Sequence, residues 1–292
     1  MVEPRAAAKR AGGRRSMLLR SFGAALVIAT PSGVVTPVLR TTADGYIVRT
    51  PCGSMATVTT ATPMGSPVVV LDPGHGGDEQ GAIGPTGLEE KAVNLAVAEV
   101  AQSALEQQGY PTVLTRTSDY RITLGGRAAI VNALRPRVFV SIHHNADPDG
   151  PHVGPGSETY YQLRSKSSRR LAGLLYEDAV AALRPFSAAW VGDTDAGAKV
   201  RTGREGHDYY SILRNAKVPA ALAEVAFVTN AEEEALLRRP EVQRAEGDAV
   251  ARAIVRYLTT SDPGSGFVDA YPRNKNAGPG GGGAACVDPP LT

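Results

Sequence analysis

The sequence predicts a single α/β domain built on a mainly parallel or mixed sheet of about six strands flanked by helices. Short runs of β-branched and apolar residues alternate with longer amphipathic segments between residues 67 and 260, without an internal repeat. The strand-like runs are apolar throughout, as expected of strands that helices cover on both faces. A chain of 292 residues is long enough to bury one such core.

The predicted elements begin with a strand at residues 68–71. A helix over 91–108 has apolar residues at helical spacing and ends at Gly109-Tyr110-Pro111. The stretch 185–207 shows neither period and is expected to be a loop. We expect the other elements to be strands at 112–115, 137–142, 158–161 and 218–227, and helices at 124–134, 169–183, 233–237 and 240–258.

The segments outside this core differ from it in composition. Residues 1–40 carry seven basic residues and one acidic residue, and a short apolar run broken by prolines follows the basic head. This pattern is typical of an export signal and too short for a membrane span, so we predict a leader over 1–43 and an exported protein of the cell wall, periplasm-like space or exterior. Residues 44–66 are predicted to be an extended lead-in, 67–260 the folded domain, and 261–292 a Gly/Pro-rich tail.

Charge and cysteine content narrow the possible functions. The total net charge is +2, so the chain beyond its basic head is mildly acidic, which argues against nucleic acid as a partner. The two cysteines, Cys52 and Cys286, lie near opposite ends of the expected mature chain. Because two free thiols are a liability outside the cell, we predict that they form a disulfide.

A Gly-rich turn follows the first predicted strand. The sequence Asp72-Pro73-Gly74-His75-Gly76-Gly77 delivers a histidine at the end of a buried strand. In open α/β sheets the strand ends on one side share the crevice where ligands bind. A lone histidine in such a turn is more often structural than functional, so its meaning depends on the other strand ends.

Further ionisable residues are predicted at the same edge of the sheet. His143 and His144 follow the third strand, Glu224 lies within the last, and the pair Glu89-Glu90 begins the first helix. Two imidazoles and a carboxylate with one open position form the ligand set of a catalytic zinc site, which activates water for hydrolysis. A second carboxylate then acts as general base, the role we assign to Glu224, because an acid in an apolar strand is costly unless paired or used. The pattern alone leaves open which histidine and which glutamate bind.

Taken together, these motifs resemble the zinc-dependent N-acetylmuramoyl-L-alanine amidases of the type 3 catalytic domain. The resemblance covers residues 67–259 in order. It rests on the segments 72–77, 81–84, 87–91 with Asn94, Arg127, 132–134, 141–146, and 219–224 with Phe227 and Asn230.

The resemblance implies a specific site and reaction. It implies one Zn²⁺ bound by His75, Glu90 and His143, with Glu224 as the catalytic acid and base, and so favours Glu90 over Glu89 and His143 over His144. The expected activity is that of a peptidoglycan hydrolase, which cleaves the amide between N-acetylmuramic acid and L-alanine of the stem peptide with zinc-activated water. No stable protein partner is predicted.

Three residues are predicted to bind substrate. His144 replaces a residue that is usually small in the family, with a position at the rim of the site as the alternative, and Asn145 follows it. Arg214 matches a recurring family segment and is expected to bind a peptide carboxylate, with a surface ion pair as the alternative. We also expect Gly76 and Gly77 to leave room for substrate, and residues 185–207 to lack the helix that blocks the zinc in some relatives.

Other functions fit parts of the pattern. A catalytically silent wall-binding or regulatory protein would retain the fold without the reaction. A zinc peptidase acting within the stem peptide would differ only in the bond it cuts. Phosphate binding by the Gly-rich turn is disfavoured because no Lys-Ser/Thr pair follows it.

Overall fold

The computed structural model describes residues 26–203, 206–270 and 286–292. The basic head of the predicted leader and the Gly-rich run of the tail lie outside the described residues. The strands, in chain order, are β1 Val27–Ala29, β2 Val35–Thr42, β3 Gly45–Arg49, β4 Met55–Val58, β5 Thr62–Pro63, β6 Val69–Pro73, β7 Thr112–Leu114, β8 Val138–Asn145, β9 Gly150–Pro151, β10 Glu158–Tyr161, β11 Val191–Gly192, β12 Ala198–Lys199 and β13 Ala220–Phe227. The helices are α1 Glu90–Gln107, α2 Leu124–Leu134, α3 Lys166–Leu183, α4 Ser211–Asn215, α5 Ala231–Leu237 and α6 Pro240–Thr259.

A six-stranded mixed sheet forms the centre of the domain, in the order β12-β10-β13-β8-β6-β7. Strands β7, β6, β8 and β13 are parallel to one another, whereas β10 runs antiparallel to β13 and parallel to β12. The predicted α/β fold with a mixed sheet of about six strands is therefore confirmed. The parallel strands carry their C-terminal ends to one edge, where the predicted metal ligands and Glu224 lie.

Both faces of this sheet are buried, because successive side chains of a strand alternate between the two faces. Val69 and Leu71 pack into a core with α1, α3 and α6, while Val70 packs on the other face against α2 and α4. This two-sided burial explains the continuous apolar runs of the sequence. No helix among the described residues is long and apolar enough to cross a membrane.

Element boundaries differ from the predictions for local physical reasons. The last strand starts at Ala220 instead of residue 218, since Pro219 has no N–H to donate to a ladder. Helix α3 starts at Lys166, earlier than predicted, because the Ser165 hydroxyl caps it by accepting a hydrogen bond from the Ser168 N–H. The described part of the predicted loop 185–207 contains the two-residue strands β11 and β12 instead of a helix.

A second sheet, which the sequence did not predict, precedes the main one. Strands β1–β5 form an antiparallel sheet in the order β4-β3-β2-β1-β5. Ile28, in the apolar run assigned to the leader, is fully buried in its core. A leader ending at residue 43 would include β1 and β2 of this sheet, and that boundary stays a prediction. Export itself stays a prediction, because residues 1–25 lie outside the described part.

The predicted disulfide between Cys52 and Cys286 is present. Next to it, the backbone N–H of Cys52 donates to Asp288 Oδ1 over 2.7 Å, and the Ser32 hydroxyl donates to the carbonyl of Pro290 over 2.6 Å. Leu291 packs against both the second sheet and the core beneath it. The C-terminal residues therefore return to the N-terminal sheet and are bound there covalently and by packing.

Candidate metal centre

The three predicted metal ligands lie together at the C-terminal edge of the parallel strands. His75 Nε2 is 3.1 Å from Glu90 Oε2, and His143 Nδ1 is 2.9 Å from Glu90 Oε1. The two imidazole rings meet edge to face, with their centroids 4.8 Å apart. One candidate ligand atom from each residue lies within 4.8 Å of the other two. A single cation can therefore contact all three residues.

The turn after β6 positions His75 by backbone contacts to two buried arginines. Arg127 donates to the carbonyl of His75 over 2.6 Å, and Arg116 donates to the carbonyl of Gly74 over 3.0 Å. His75 has a φ of 59°, in the left-handed region that a non-glycine residue adopts at a cost of about 1–3 kcal/mol. The arginine contacts hold this unfavourable conformation in place.

The buried carboxylate of Asp72 anchors one of these arginines. Its Oδ1 lies 2.6 Å from Arg127 Nη1, and its Oδ2 accepts a hydrogen bond from Ser141. Burial raises the pKa of Asp72, but the charge of Arg127 and the hydrogen bonds outweigh it and leave the pKa below its usual value. Asp72 therefore stays ionised and keeps Arg127 oriented toward the turn.

Two glycines make room for the ligands themselves. A Cβ on Gly74 would lie 2.2 Å from the His143 ring, and one on Gly81 would lie 2.4 Å from Glu90 Oε2. Gly76 and Gly77 have a different role from the predicted one. A Cβ on Gly76 would lie 2.2 Å from the Tyr120 carbonyl, so this turn packs tightly on its own protein instead of leaving space for substrate.

Glu90 is the first residue of α1 and is only 3% exposed. Its carboxylate accepts backbone hydrogen bonds from Ala82 over 2.8 Å and from His144 over 3.1 Å. Burial raises the pKa of Glu90, but the hydrogen bonds and charges of His143 and His75 lower it well below the usual value. An ionised carboxylate at this position also faces the positive end of the helix dipole.

Glu79, which the sequence analysis did not single out, orients His75. Its Oε1 lies 3.0 Å from His75 Nδ1, the ring nitrogen that faces away from Glu90. Burial lowers the pKa of His75, but the carboxylates of Glu79 and Glu90 outweigh it and raise the pKa to about 9. A carboxylate on the outer nitrogen of a ligating histidine fixes its tautomer and ring orientation.

Glu224 lies next to the predicted ligand His143, and one of its carboxyl oxygens lacks a hydrogen-bond partner among the described residues. It is registered with His143 on the neighbouring parallel strand and with Glu158 on the antiparallel strand. Its Oε2 is buried and has no hydrogen-bond partner within the described residues. Burial, followed by the negative charges of Glu90 and Glu158, raises the pKa of Glu224 well above its usual value. A carboxyl group in this state is poised to hold a proton.

The residues present fit a zinc ion. Two imidazole nitrogens and one carboxylate oxygen converge, as in three-ligand catalytic zinc sites that keep a fourth position open. Gly74 and Gly81 leave the space that these ligands need. The unpartnered oxygen of Glu224 lies at the same edge of the sheet.

The three predicted substrate-binding residues lie in three different environments. His144 is 2% exposed and its ring lies between Asn94 and Glu246, so the structure places it in the interior, neither at the rim nor facing a substrate. Asn145 is partly exposed, and its amide group donates to Glu158 Oε2 over 2.9 Å. Asn145 is thus bonded to Glu158, the residue that pairs with Glu224 on the adjacent strand.

Arg214 lies away from the metal ligands. Its guanidinium donates to the carbonyl of Asp208 over 2.6 Å, and it lines a cleft of about 470 Å³ that includes Arg164 and His207. Gln162, also in this cleft, follows the residue of β10 that pairs with Ala221. Ala221 is three positions before Glu224, or roughly 10 Å along the strand. The cleft therefore lies toward the opposite end of β13 from the candidate metal centre.

Comparison with known proteins gives consistent matches. The family model described as N-acetylmuramoyl-L-alanine amidase (Amidase_3) matches residues 69–256. N-acetylmuramoyl-L-alanine amidase AmiC of Neisseria meningitidis serogroup B is 34% identical over 225 residues, which cover 67% of this chain and 53% of that protein. The uncharacterized protein YqiI of Bacillus subtilis is 34% identical over 199 residues, covering 68% of this chain and 87% of YqiI.

Solved structures agree with these sequence matches. The structure of N-acetylmuramoyl-L-alanine amidase AmiC2 of Nostoc punctiforme matches with a TM-score of 0.55 and 34% identity, covering 66% of this chain and 98% of that one. The chain spans about half the length of the Neisseria relative. The matched region 69–256 contains the three candidate ligands and Glu224 but leaves out the N-terminal sheet.

Proposed function

This chain belongs to the N-acetylmuramoyl-L-alanine amidase family, whose model spans residues 69–256, and we propose that it hydrolyses peptidoglycan at the amide between N-acetylmuramic acid and L-alanine of the stem peptide. The observation that carries this proposal is the convergence of His75, Glu90 and His143 beside the unpartnered carboxyl oxygen of Glu224. A silent wall-binding protein would have no use for a carboxyl group that buries one oxygen without a hydrogen-bond partner among the described residues.

His75, Glu90 and His143 are the residues that would hold a single zinc ion. When bound, zinc supplies Lewis-acid chemistry, since it polarises the scissile carbonyl and lowers the pKa of a water molecule. Glu79 holds the ring of His75, and Arg127 holds its backbone. Contacts within the protein therefore help to fix the arrangement of the proposed ligands.

Glu224 carries the proton in the proposed reaction. As water adds to the amide carbon, the carboxylate takes one of its protons; as the carbon–nitrogen bond breaks, the same group gives that proton to the departing amine. The products are the lactyl carboxylate of the sugar and a peptide with a free L-alanine amine. Burial and the negative charges of Glu90 and Glu158 raise the pKa of Glu224 above its usual value, which favours a group that holds the proton between the two steps.

We propose that the protein works outside the cytoplasm. The Cys52–Cys286 disulfide supports this, because such bonds persist in oxidising compartments. The basic residues at the N terminus of the sequence support it as well. That Arg214 and Asn145 contact the substrate, and that no stable protein partner is needed, stay predictions.

Mass spectrometry of digested peptidoglycan tests the proposal. Purified full-length protein should release stem peptides that begin with a free L-alanine, lose this activity after chelation, and regain it on addition of zinc. Cuts within the stem peptide would establish a zinc peptidase instead. Binding to cell walls without any released product would establish a silent wall-binding protein.

A further inference from the structure

A row of buried polar side chains connects helix α6 to the candidate metal centre. Glu246 Oε2 lies 3.3 Å from His144 Nε2, and His144 Nδ1 lies 2.7 Å from Asn94 Oδ1. Asn94 Nδ2 donates to Glu90 Oε1 over 3.1 Å. The row includes a contact between residues 102 positions apart in sequence, His144 and Glu246, and ends on a candidate metal ligand, Glu90.

The hydrogen-bonding capacities of these groups fix the direction of the row. The Asn94 amide nitrogen faces two acceptors, Glu90 Oε1 and the carbonyl of Gly74 at 3.3 Å, so it is the NH₂ group that points to the metal centre. The Asn94 carbonyl oxygen must then accept, and His144 Nδ1 must carry a hydrogen. The other ring nitrogen of His144 faces the Glu246 carboxyl group. Glu246 therefore orients His144, and His144 orients Asn94.

Asn94 is the residue of the row that contacts the candidate metal centre directly. Its two donated hydrogen bonds reach Glu90 and the backbone immediately before His75. The backbone N–H of His144 also donates to Glu90 Oε1 over 3.1 Å. A rotated Asn94 amide would present its oxygen to the Glu90 carboxylate and repel it. The orientation of Asn94 is therefore coupled to the position of two candidate metal ligands.

Burying His144 and Glu246, the residues farthest from the metal centre in this row, costs free energy of folding. The side chains of His144 and Glu246 are both 0% exposed. Glu246 Oε1 has no hydrogen-bond partner in the part of the chain that the structure describes. A buried pair of ionisable side chains gives weak support for stability, because the loss of hydration offsets their attraction. An apolar pair would fill the same space at less cost, so stability alone does not account for these two residues.

We propose that His144 and Glu246 are positioning residues that fix the Asn94 amide and, through it, Glu90 for metal binding. This inference rests on the proposed zinc site. In this inference His144 supports the metal ligand Glu90 from within the protein interior, whereas the sequence predicted that His144 contacts the substrate.

Zinc affinity of the full-length protein, measured by competition with a chelator at fixed pH, tests this inference. Asparagine places its amide nitrogen near the position of Nδ1, and glutamine places its amide near Nε2. His144→Asn should therefore keep the bond to Asn94 and stay within about threefold of the native affinity. His144→Ala and His144→Gln should bind zinc about tenfold more weakly, at the low end of the 10–100-fold range for groups that support a ligand. Equal zinc affinities in the three variants would overturn the proposal.

A double variant separates positioning from charge compensation. His144→Ala/Glu246→Leu removes the buried carboxylate together with its partner, so thermal stability should recover relative to His144→Ala. Zinc affinity should remain about tenfold low, and the visible spectrum of the Co²⁺-substituted double variant should remain shifted from the native one. Recovery of native zinc affinity in the double variant would show that the pair only balances charge. Glu233→Gln is the matched control, since Glu233 is equally buried but bonds to the backbone of Phe227 and Val191.

The wild-type protein distinguishes the two proposals. If it binds no zinc or releases no L-alanyl peptides, the proposed function fails. If it does both and His144→Ala retains native zinc affinity, only the positioning role fails.

Discussion

Glu224 and His143 lie side by side as registered residues of the neighbouring parallel strands β13 and β8. Registered residues on adjacent strands point to the same face of a sheet, so the proposed proton carrier and a proposed metal ligand share one surface. Glu158 continues this row on β10. The β-sheet itself thus sets the spacing between Glu224 and the proposed metal ligand His143.

Replacing Glu224 by glutamine should separate catalysis from metal binding. Glu224→Gln keeps the shape of the side chain but cannot accept a proton, so the amidase rate should fall by roughly 10²–10⁴-fold. Zinc content, measured by elemental analysis, should stay at one per chain because Glu224 is not among the three proposed ligands. A variant that retains most of its activity would exclude the assigned role.

Loss of Glu79 should weaken metal binding without removing a ligand. Glu79→Ala leaves His75 Nδ1 without its carboxylate partner, and we expect zinc affinity to fall by roughly 10–100-fold. Asp78→Asn is a suitable control, because Asp78 is adjacent in sequence but pairs with Arg121. Similar zinc affinities for Glu79→Ala and Asp78→Asn would contradict the orienting role.

The buried carboxyl group of Glu233 should make stability depend on pH. Burial is the main cause that raises its pKa, from 4.5 to about 7, and the negative charge of Glu246 adds to it. Because the folded pKa is the higher one, the folded state binds more protons between these pH values, and the free energy of unfolding decreases as pH rises. The decrease should amount to at most about 3 kcal/mol and be complete above pH 7.

Urea unfolding of the wild type and Glu233→Gln between pH 4.5 and 8 measures this effect. The variant has no titrating group at position 233, so its free energy of unfolding should decrease less over the same interval. Identical pH dependence of the two proteins would show that Glu233 does not titrate in this range.

Removing the disulfide should reduce stability and leave the chemistry intact. The double variant Cys52→Ser/Cys286→Ser loses a link between residues 234 positions apart, which should cost roughly 2–5 kcal/mol in the free energy of unfolding. Zinc affinity below the unfolding transition should be unchanged, since neither cysteine contacts a proposed ligand. An unchanged unfolding midpoint would mean that packing of the C-terminal residues alone holds the two ends together.

The sequence predicted the central sheet because its strands are buried on both faces and therefore strongly apolar. The turn before His75 and the ligand triad were predictable from residue types and from the family resemblance. The antiparallel sheet at the N terminus was not, since the apolar stretch around Ile28 fits a leader as well as it fits a short strand. Composition alone does not separate these two structures.

Supporting residues of the site were harder to predict than the ligands. Glu79 lies in a loop, where a spacing of four residues carries no periodic signal that would link it to His75. His144 contacts Glu246 of α6, a helix that packs against α1 and is distant from His144 in sequence. These contacts are properties of the assembled fold, so local patterns did not reveal them.

The bond between Cys52 and Cys286 closes the chain into a covalent ring that contains the three strands of the candidate site, β6, β8 and β13, and every helix among the described residues. One cut by a protease anywhere between these cysteines would open the ring without dividing the molecule into two pieces. The residues of the candidate site would therefore stay on one covalently linked molecule. Two cuts between these cysteines would be needed to release a fragment from within the ring.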